Sequence, residues 1–270
     1  MLATAEVRHG WHQANDLRLH HLDYGGTGRL IVCLHGVTGH AWAWHHVAPE
    51  LASAGHVLAF DLRGHGDSQW SPRGDYGSDQ HAADVVTRMD ALGADQADLV
   101  GSSWGALVAM VVAARIPRRV RRLVIVDVEP SFEQSETDIP PRPRDYVTHD
   151  DAVAFERQGN PHAPADLLQA VAAGATRPGS NGRLVPKHDP YFFERWPFRS
   201  DDLWDLLPSL TMPTLLVHGE ASFVRCEVMQ RMAEAIPDGR LEHLPDTTHV
   251  VPVDNPSGLA GHAAAFLAGA

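Results

Sequence analysis

Short, continuous apolar runs alternate along the chain with stretches whose apolar residues recur every three or four positions. The runs cover residues 30–34, 56–60, 98–101, 123–126 and 214–217. A strand apolar on both faces belongs to a sheet covered on both sides, and helical stretches between such runs make the strands parallel. Residues 6–12 and 17–24 read as an antiparallel pair at one edge, and residues 240–244 as a last strand. After position 103, Ala106, Leu107, Met110, Val111 and Ala114 recur at helical spacing up to Pro117, predicting a helix buried on one side. Near the C-terminus Asn255 can cap a helix with Pro256 at its first position, and Leu259, Ala263, Phe266 and Leu267 form its apolar stripe.

The pattern breaks between Pro130 and about Asp205, where Pro140, Pro141, Pro143, Pro161, Pro164, Pro178, Pro186, Pro190 and Pro197 interrupt it. The segment is too long for a plain loop. Amphipathic pieces at 150–158 and 165–173 predict a mostly helical cap inserted between two sheet strands. The expected organisation is a core of residues 1–129 and 206–270, with a cap at 130–205.

Composition narrows the picture. A chain of 270 residues, 44% hydrophobic and 21% charged, is an ordinary globular protein. A net charge of −12 disfavours nucleic-acid binding, which needs clustered Lys and Arg. The 18 histidines are scattered and show no Cys/His spacing of a structural zinc, so no metal or other cofactor is expected. Cys33 and Cys226 read as buried thiols, which fits a reducing, cytoplasmic setting. No apolar leader and no run of ~20 apolar residues is visible, so neither export nor a membrane partner is expected. A small molecule is the expected partner, and self-association into a homodimer stays open.

The chemistry begins at Gly101-Ser102-Ser103-Trp104-Gly105, which matches Gly-x-Ser-x-Gly between an apolar strand and a helix. A serine on a sharp strand-to-helix turn needs flanking residues without bulk, and its hydroxyl then stands free at the strand end. Ser102 lacks the symmetric glycine spacing, so Ser103 is the candidate nucleophile. Leu34-His35-Gly36-Val37 follows the first central strand and precedes a helix containing Ala41, Trp44, Val47 and Leu51. This places backbone amides beside the elbow, and those of Val37 and Trp104 are assigned to an oxyanion hole.

Taken in order, His35-Gly36, the turn Asp61-Leu62-Arg63-Gly64-His65-Gly66-Asp67-Ser68, the elbow at Ser103 and a late His249 resemble the α/β-hydrolase superfamily. The resemblance covers nearly the whole chain outside the cap. It implies an α/β-hydrolase fold, a mostly parallel sheet flanked by helices. The Asp61 turn is read as structural, with Asp61 and Arg63 pairing locally. In this fold the base follows the last strand, where His249 lies within Pro245-Asp246-Thr247-Thr248-His249-Val250. Relatives often carry Gly before this His, so Thr248 is expected to loosen the loop slightly. Many relatives take the acid from a Gly-x-x-Asp pattern, but this chain reads Gly219-Glu220-Ala221-Ser222. A smaller set takes it from the end of the preceding sheet strand, and Asp127 resembles that alternative, with Glu220 and Glu129 as rivals.

In the cap, Arg142, Arg144, Arg157, Arg177 and Arg195 accompany Tyr191, Phe192, Phe193, Trp196 and Phe198. One reading makes His35, Arg142, Tyr191, Phe192 and Trp196 a pocket for an anionic or aromatic acyl group, although a histidine at the 35–36 turn reads more readily as structural. The plainer reading is solvated arginines over a small cap core. The expected activity is serine hydrolysis of an ester, lactone or amide. The alternatives are a C–C bond hydrolase, a cofactor-free oxygenase using the His249–Asp127 pair as base, and a non-enzymatic ligand receptor. Dehalogenases and epoxide hydrolases of this fold use a carboxylate at the elbow, so Ser103 argues against both.

Overall fold

The computed structural model describes residues 7–132 and 142–269. The expected strand start at Glu6 and the breakers Pro140 and Pro141 lie outside the described residues. The strands are β1 (Arg8–Ala14), β2 (Leu17–Asp23), β3 (Leu30–Leu34), β4 (His56–Phe60), β5 (Ala97–Ser102), β6 (Val120–Val126), β7 (Thr176–Pro178), β8 (Leu184–Pro186), β9 (Thr214–Gly219) and β10 (Gly239–Leu244). The helices are α1 (Ala48–Leu51), α2 (Ser78–Ala91), α3 (Trp104–Arg115), α4 (His149–Gly159), α5 (Ala165–Ala175), α6 (Cys226–Ala235), α7 (Val251–Asp254) and α8 (Pro256–Ala268).

Eight strands form one sheet in the order β1-β2-β4-β3-β5-β6-β9-β10. The pairs β1/β2 and β2/β4 are antiparallel, and all other neighbours are parallel. Strand alternation divides the core in two. Val32, Leu34, Leu99, Leu123, Ile125 and Leu216 face α2, α3 and α6, whereas Ile31, Cys33, Val100, Val124, Leu215 and Val217 face α1 and α8. Because both faces are covered, the central strands read as unbroken apolar runs. Asn255 caps α8 by accepting from the Gly258 amide, with Pro256 at the first position, as the sequence predicts.

Three local expectations need correction. The helix after Val37 is a 3-10 turn at Ala41–Trp44 followed by the single turn α1, because Pro49 has no N–H to continue a helical ladder. Helix α3 is buried on every side from Trp104 to Ala113, being covered by the 3-10 turn Trp204–Ser209 as well as by the sheet and α2. The segment between β6 and β9 holds α4 and α5, but also the β7/β8 hairpin and 3-10 turns at Pro190–Phe193 and Pro197–Ser200. Its prolines close β7 and β8 and open those turns, which keeps the helices short. Helix α4 starts at a capping box, Thr148 with Asp151.

Candidate active site

Parallel strands all end on the same side of the sheet, so the residues that follow β3, β5, β6 and β10 gather there. At the end of β5 the chain turns directly into α3 through Ser103, whose φ of 52° and ψ of −125° are strained for a residue with a side chain. The flanking glycines permit this turn. A Cβ on Gly101 would meet the Gly105 carbonyl at 2.4 Å, and one on Gly105 would meet the Leu34 carbonyl at 2.3 Å. The Ser103 amide donates to the Val126 carbonyl at 2.9 Å, fixing the elbow to the neighbouring strand.

One residue beyond that carbonyl, Asp127 also has positive φ, 49°. Its amide donates to Val217 O on β9. Its carboxylate is fully buried and accepts three hydrogen bonds: from the Gly219 amide at 2.9 Å on Oδ1, from the Ser222 hydroxyl at 2.5 Å on Oδ2, and from His249 Nδ1 at 2.7 Å on Oδ2. With Nδ1–H donating its hydrogen bond to Asp127, the imidazole presents the Nε2 lone pair to Ser103 Oγ, 2.9 Å away. Ser103, His249 and Asp127 therefore form one hydrogen-bonded line from half-buried hydroxyl to buried carboxylate.

The His249 loop is held by Thr248, contrary to the expectation that this residue loosens it. Its amide donates to Asp254 Oδ2 at 2.9 Å, and its hydroxyl lies 2.9 Å from the same oxygen and 3.2 Å from Gly159 O at the end of α4. The exposed ring of Phe223 covers the imidazole, centroids 4.2 Å apart. The rival carboxylates are elsewhere. Glu129 is taken by Arg225, whose Nε and Nη2 donate at 2.8 and 2.7 Å, and Glu220 is exposed.

Opposite the elbow, Gly36 comes so close that a Cβ there would sit 3.0 Å from Ser103 Cβ. The amide of Val37 follows in this turn, and that of Trp104, as the first residue of α3, has no acceptor within its helix. The Trp104 side chain points away, donating from Nε1 to Ser78 Oγ at 2.8 Å.

The expected pocket residues take other positions. His35 is buried, its Nδ1 donating to Gly36 O at 2.7 Å and its Nε2 accepting from the Leu62 amide at 3.0 Å, so neither nitrogen is open to a ligand. Burial, only partly offset by Asp61, lowers the affinity of this imidazole for a proton. Phe192 is 1% exposed and packs on His65, Tyr76 and Trp104, with Tyr191 and Trp196 half-buried at the edge of that cluster. Arg142 is committed to Glu156, at 2.6 and 3.2 Å, and donates from Nε to Thr38 Oγ1 at 2.9 Å. Thr38 in turn donates to Val37 O at 2.7 Å, so the arginine braces the turn that carries the Val37 amide. Burial alone would raise the Glu156 carboxyl, but the Arg142 charge outweighs it and holds the group below its ordinary range. Asp61 and Arg63 do not pair. Asp61 accepts from His20 Nδ1 and from the Ala41 and Asp67 amides, while Arg63 binds Asp84 and Asp75.

Sequence reasoning missed Thr38, Phe223 and the part played by Ser222. Only the last had a signal, since Ser222 occupies the place where relatives carry a carboxylate.

The model of the alpha/beta hydrolase fold family matches residues 29–173. The chain belongs to this family. It is 31% identical over 258 residues to an N-formylmaleamate deformylase of Pseudomonas putida, covering 94% of this chain and 92% of that protein. It is 29% identical over 262 residues to a 2-hydroxy-6-oxo-2,4-heptadienoate hydrolase of Pseudomonas putida, covering 90% of each. The crystal structure of an E-2-(acetamidomethylene)succinate hydrolase superposes with a TM-score of 0.85 over 97% of this chain and 99% of that one, at 23% identity. The family is one of hydrolytic enzymes, and no helix among the described residues is long and apolar enough to cross a membrane.

Proposed function

We propose that this α/β-hydrolase cleaves a carboxylic ester, lactone or amide of a small molecule through an acyl-enzyme on Ser103. The observation that carries the reading is the unbroken line Ser103 Oγ, His249, Asp127, with contacts of 2.9 and 2.7 Å. His249 takes the hydroxyl proton as the oxygen attacks the carbonyl, and Asp127 stabilises the imidazolium and keeps its tautomer. The amides of Val37 and Trp104 receive the oxyanion, each worth about 3–4 kcal/mol in comparable sites. His249 then protonates the leaving group, and a water activated by the same imidazole releases the acyl group. The buried Asp127 also accepts from Gly219 and Ser222, so both of its oxygens have a donor in place of water.

Among the three bond types, the amide comes first, because the relative at 31% identity is a deformylase of an N-formyl amide. A second reading, cleavage of a C–C bond next to a carbonyl, rests on the likeness to the heptadienoate hydrolase. The contact of Ser103 with His249 favours nucleophilic hydrolysis over the oxygenase reading, in which the serine has no bond-forming role. A panel of p-nitrophenyl esters, lactones, N-formyl amides and vinylogous 1,5-diketones, with Ser103→Ala as control, tests this. Turnover of an ester or amide, lost in Ser103→Ala, is expected. Turnover of the diketones alone would move the assignment to C–C hydrolysis, and turnover surviving in Ser103→Ala would remove the mechanism.

A further inference from the structure

A second cluster of chemistry-bearing side chains lies on the far side of the turn that holds Asp127. Strands β9 and β10 run parallel with His218 opposite His243, so both imidazoles stand on one face of the sheet edge. Their Nδ1 atoms are 3.3 Å apart. Eight residues after His218, Cys226 opens α6, and its Sγ lies within 4.8 Å of a ring nitrogen of each histidine. His218 is buried and its Nε2 lies 3.0 Å from Val224 O. A carbonyl can only accept, so the proton of this imidazole is on Nε2 and the Nδ1 lone pair faces His243.

We infer that His218, Cys226 and His243 form a binding site for a zinc-class divalent cation. Two imidazoles and a thiol are the donor set that such ions take, and a tetrahedral ion with bonds of about 2.0–2.3 Å holds its ligand atoms roughly 3.3–3.6 Å apart. The two nitrogens already have that spacing, and rotation of the Cys226 side chain closes the remainder. The carbonyl of Val224 is the outer partner that orients a ligating imidazole. Cys226 opens a ten-residue helix and is half-buried, so an ion can reach its sulfur. On binding, the thiol releases one proton to solvent and His243 carries its own on Nε2. His243 is exposed, which leaves the ion reachable and a fourth position to water. The linear spacing of 218, 226 and 243 matches no zinc motif, and only the register of β9 with β10 brings the three together. Because His218 and Cys226 bracket the stretch with Gly219 and Ser222, an ion here would clamp the turn that positions Asp127.

The test is titration of the chelator-treated full chain with Co2+, followed by displacement with Zn2+. One equivalent should give a thiolate-to-cobalt charge-transfer band that zinc removes, and Zn2+ should raise the melting temperature. Cys226→Ser should lose the band, and His243→Asn should bind more than about 100-fold more weakly, since losing even an outer partner costs 10–100-fold. Both positions are accessible enough for substitution, and circular dichroism without metal checks the fold. If Cys226→Ser does not fold, His243→Asn decides alone. Absence of the band in the parent chain would overturn the proposal. So would binding unchanged in the folded variants, or binding abolished instead by His9→Ala in the other histidine cluster, with His20 and Asp67.

Discussion

At the C-terminal ends of the strands, each polar side chain of the candidate centre is aimed at the next, whereas in the segment between β6 and β9 the polar side chains pair partly among themselves and partly with core residues such as Thr38, Asp67, Tyr76 and Ser78. Ser103 and Asp127 sit on residues held at positive φ by bonds to adjacent strands, and His249 stands in a loop tied down through Thr248. In the inserted segment, Arg142 pairs with Glu156, Arg144 with Glu194 and Arg183 with Asp145. The difference teaches that the Ser103–His249–Asp127 line is fixed from the backbone outward, while the insertion's charges hold its shape and its attachment to the core. Abundant arginines near an active site are therefore no measure of an anionic substrate.

The sharpest way to break the comparison is Asp127→Asn, which keeps the shape but presents the wrong hydrogen-bonding partner to His249. It should lower kcat by about 10³–10⁴-fold with little change in thermal midpoint. A small loss would mean that the imidazole is oriented by something else. Arg142→Ala comes next and separates bracing from binding. Removing one partner of a buried pair costs about 3–5 kcal/mol, so urea unfolding should shift to lower denaturant. A raised KM with unchanged stability would instead make Arg142 a substrate contact.

Ser222→Ala asks how far the acid depends on its neighbours. A hydrogen bond to a charged group is worth about 1.5–3 kcal/mol, so kcat should fall about ten- to hundred-fold while KM holds. In the Asp127→Asn background, Ser222→Asp should restore part of the activity, because it returns a carboxylate to the spot beside Oδ2. No recovery in a folded double variant would show that only the β6 strand end can supply the acid.

The histidines extend the comparison to stability. Behind the elbow, His35, His65 and His81 are all buried, and burial drives each below its ordinary affinity for a proton; His40 is pushed down to about 4 by the same cause. For these groups the unfolded chain binds protons first. Stability is thus fully present above about pH 6.5 and lost as pH falls toward the folded values. Each fully buried imidazole contributes up to about 1.4 kcal/mol per pH unit in that window. Unfolding free energies measured from pH 7.5 to 5.5 should fall steeply, and a flat profile would contradict the buried neutral imidazoles. The smallest effect belongs to Glu220→Gln, whose exposed side chain should leave kcat within about two-fold.

How much of this was legible in the sequence follows the same division. The sheet strands were readable because both their faces are apolar, and Ser103 because a glycine on either side has a steric cause that the pentapeptide displays. Asp127 was readable only through a departure, the serine at 222 where relatives carry an acid. The structure joins the two by placing Ser222 on the Asp127 carboxylate. The insertion was less legible, since its order comes from long-range pairs such as Arg142 with Glu156 and Thr38 that no local period encodes. His35 is structural, as expected of a histidine at this turn, but the main-chain groups that use its two nitrogens are brought near by the fold and not by the spacing.

The central claim is that Ser103 is a nucleophile activated by His249. Reaction with a fluorophosphonate, followed by peptide mass spectrometry, tests it most directly. One adduct per chain on Ser103 is expected, absent in Ser103→Ala and formed far more slowly in His249→Ala. An adduct on Ser102, or labelling at the parent rate in His249→Ala, would contradict it.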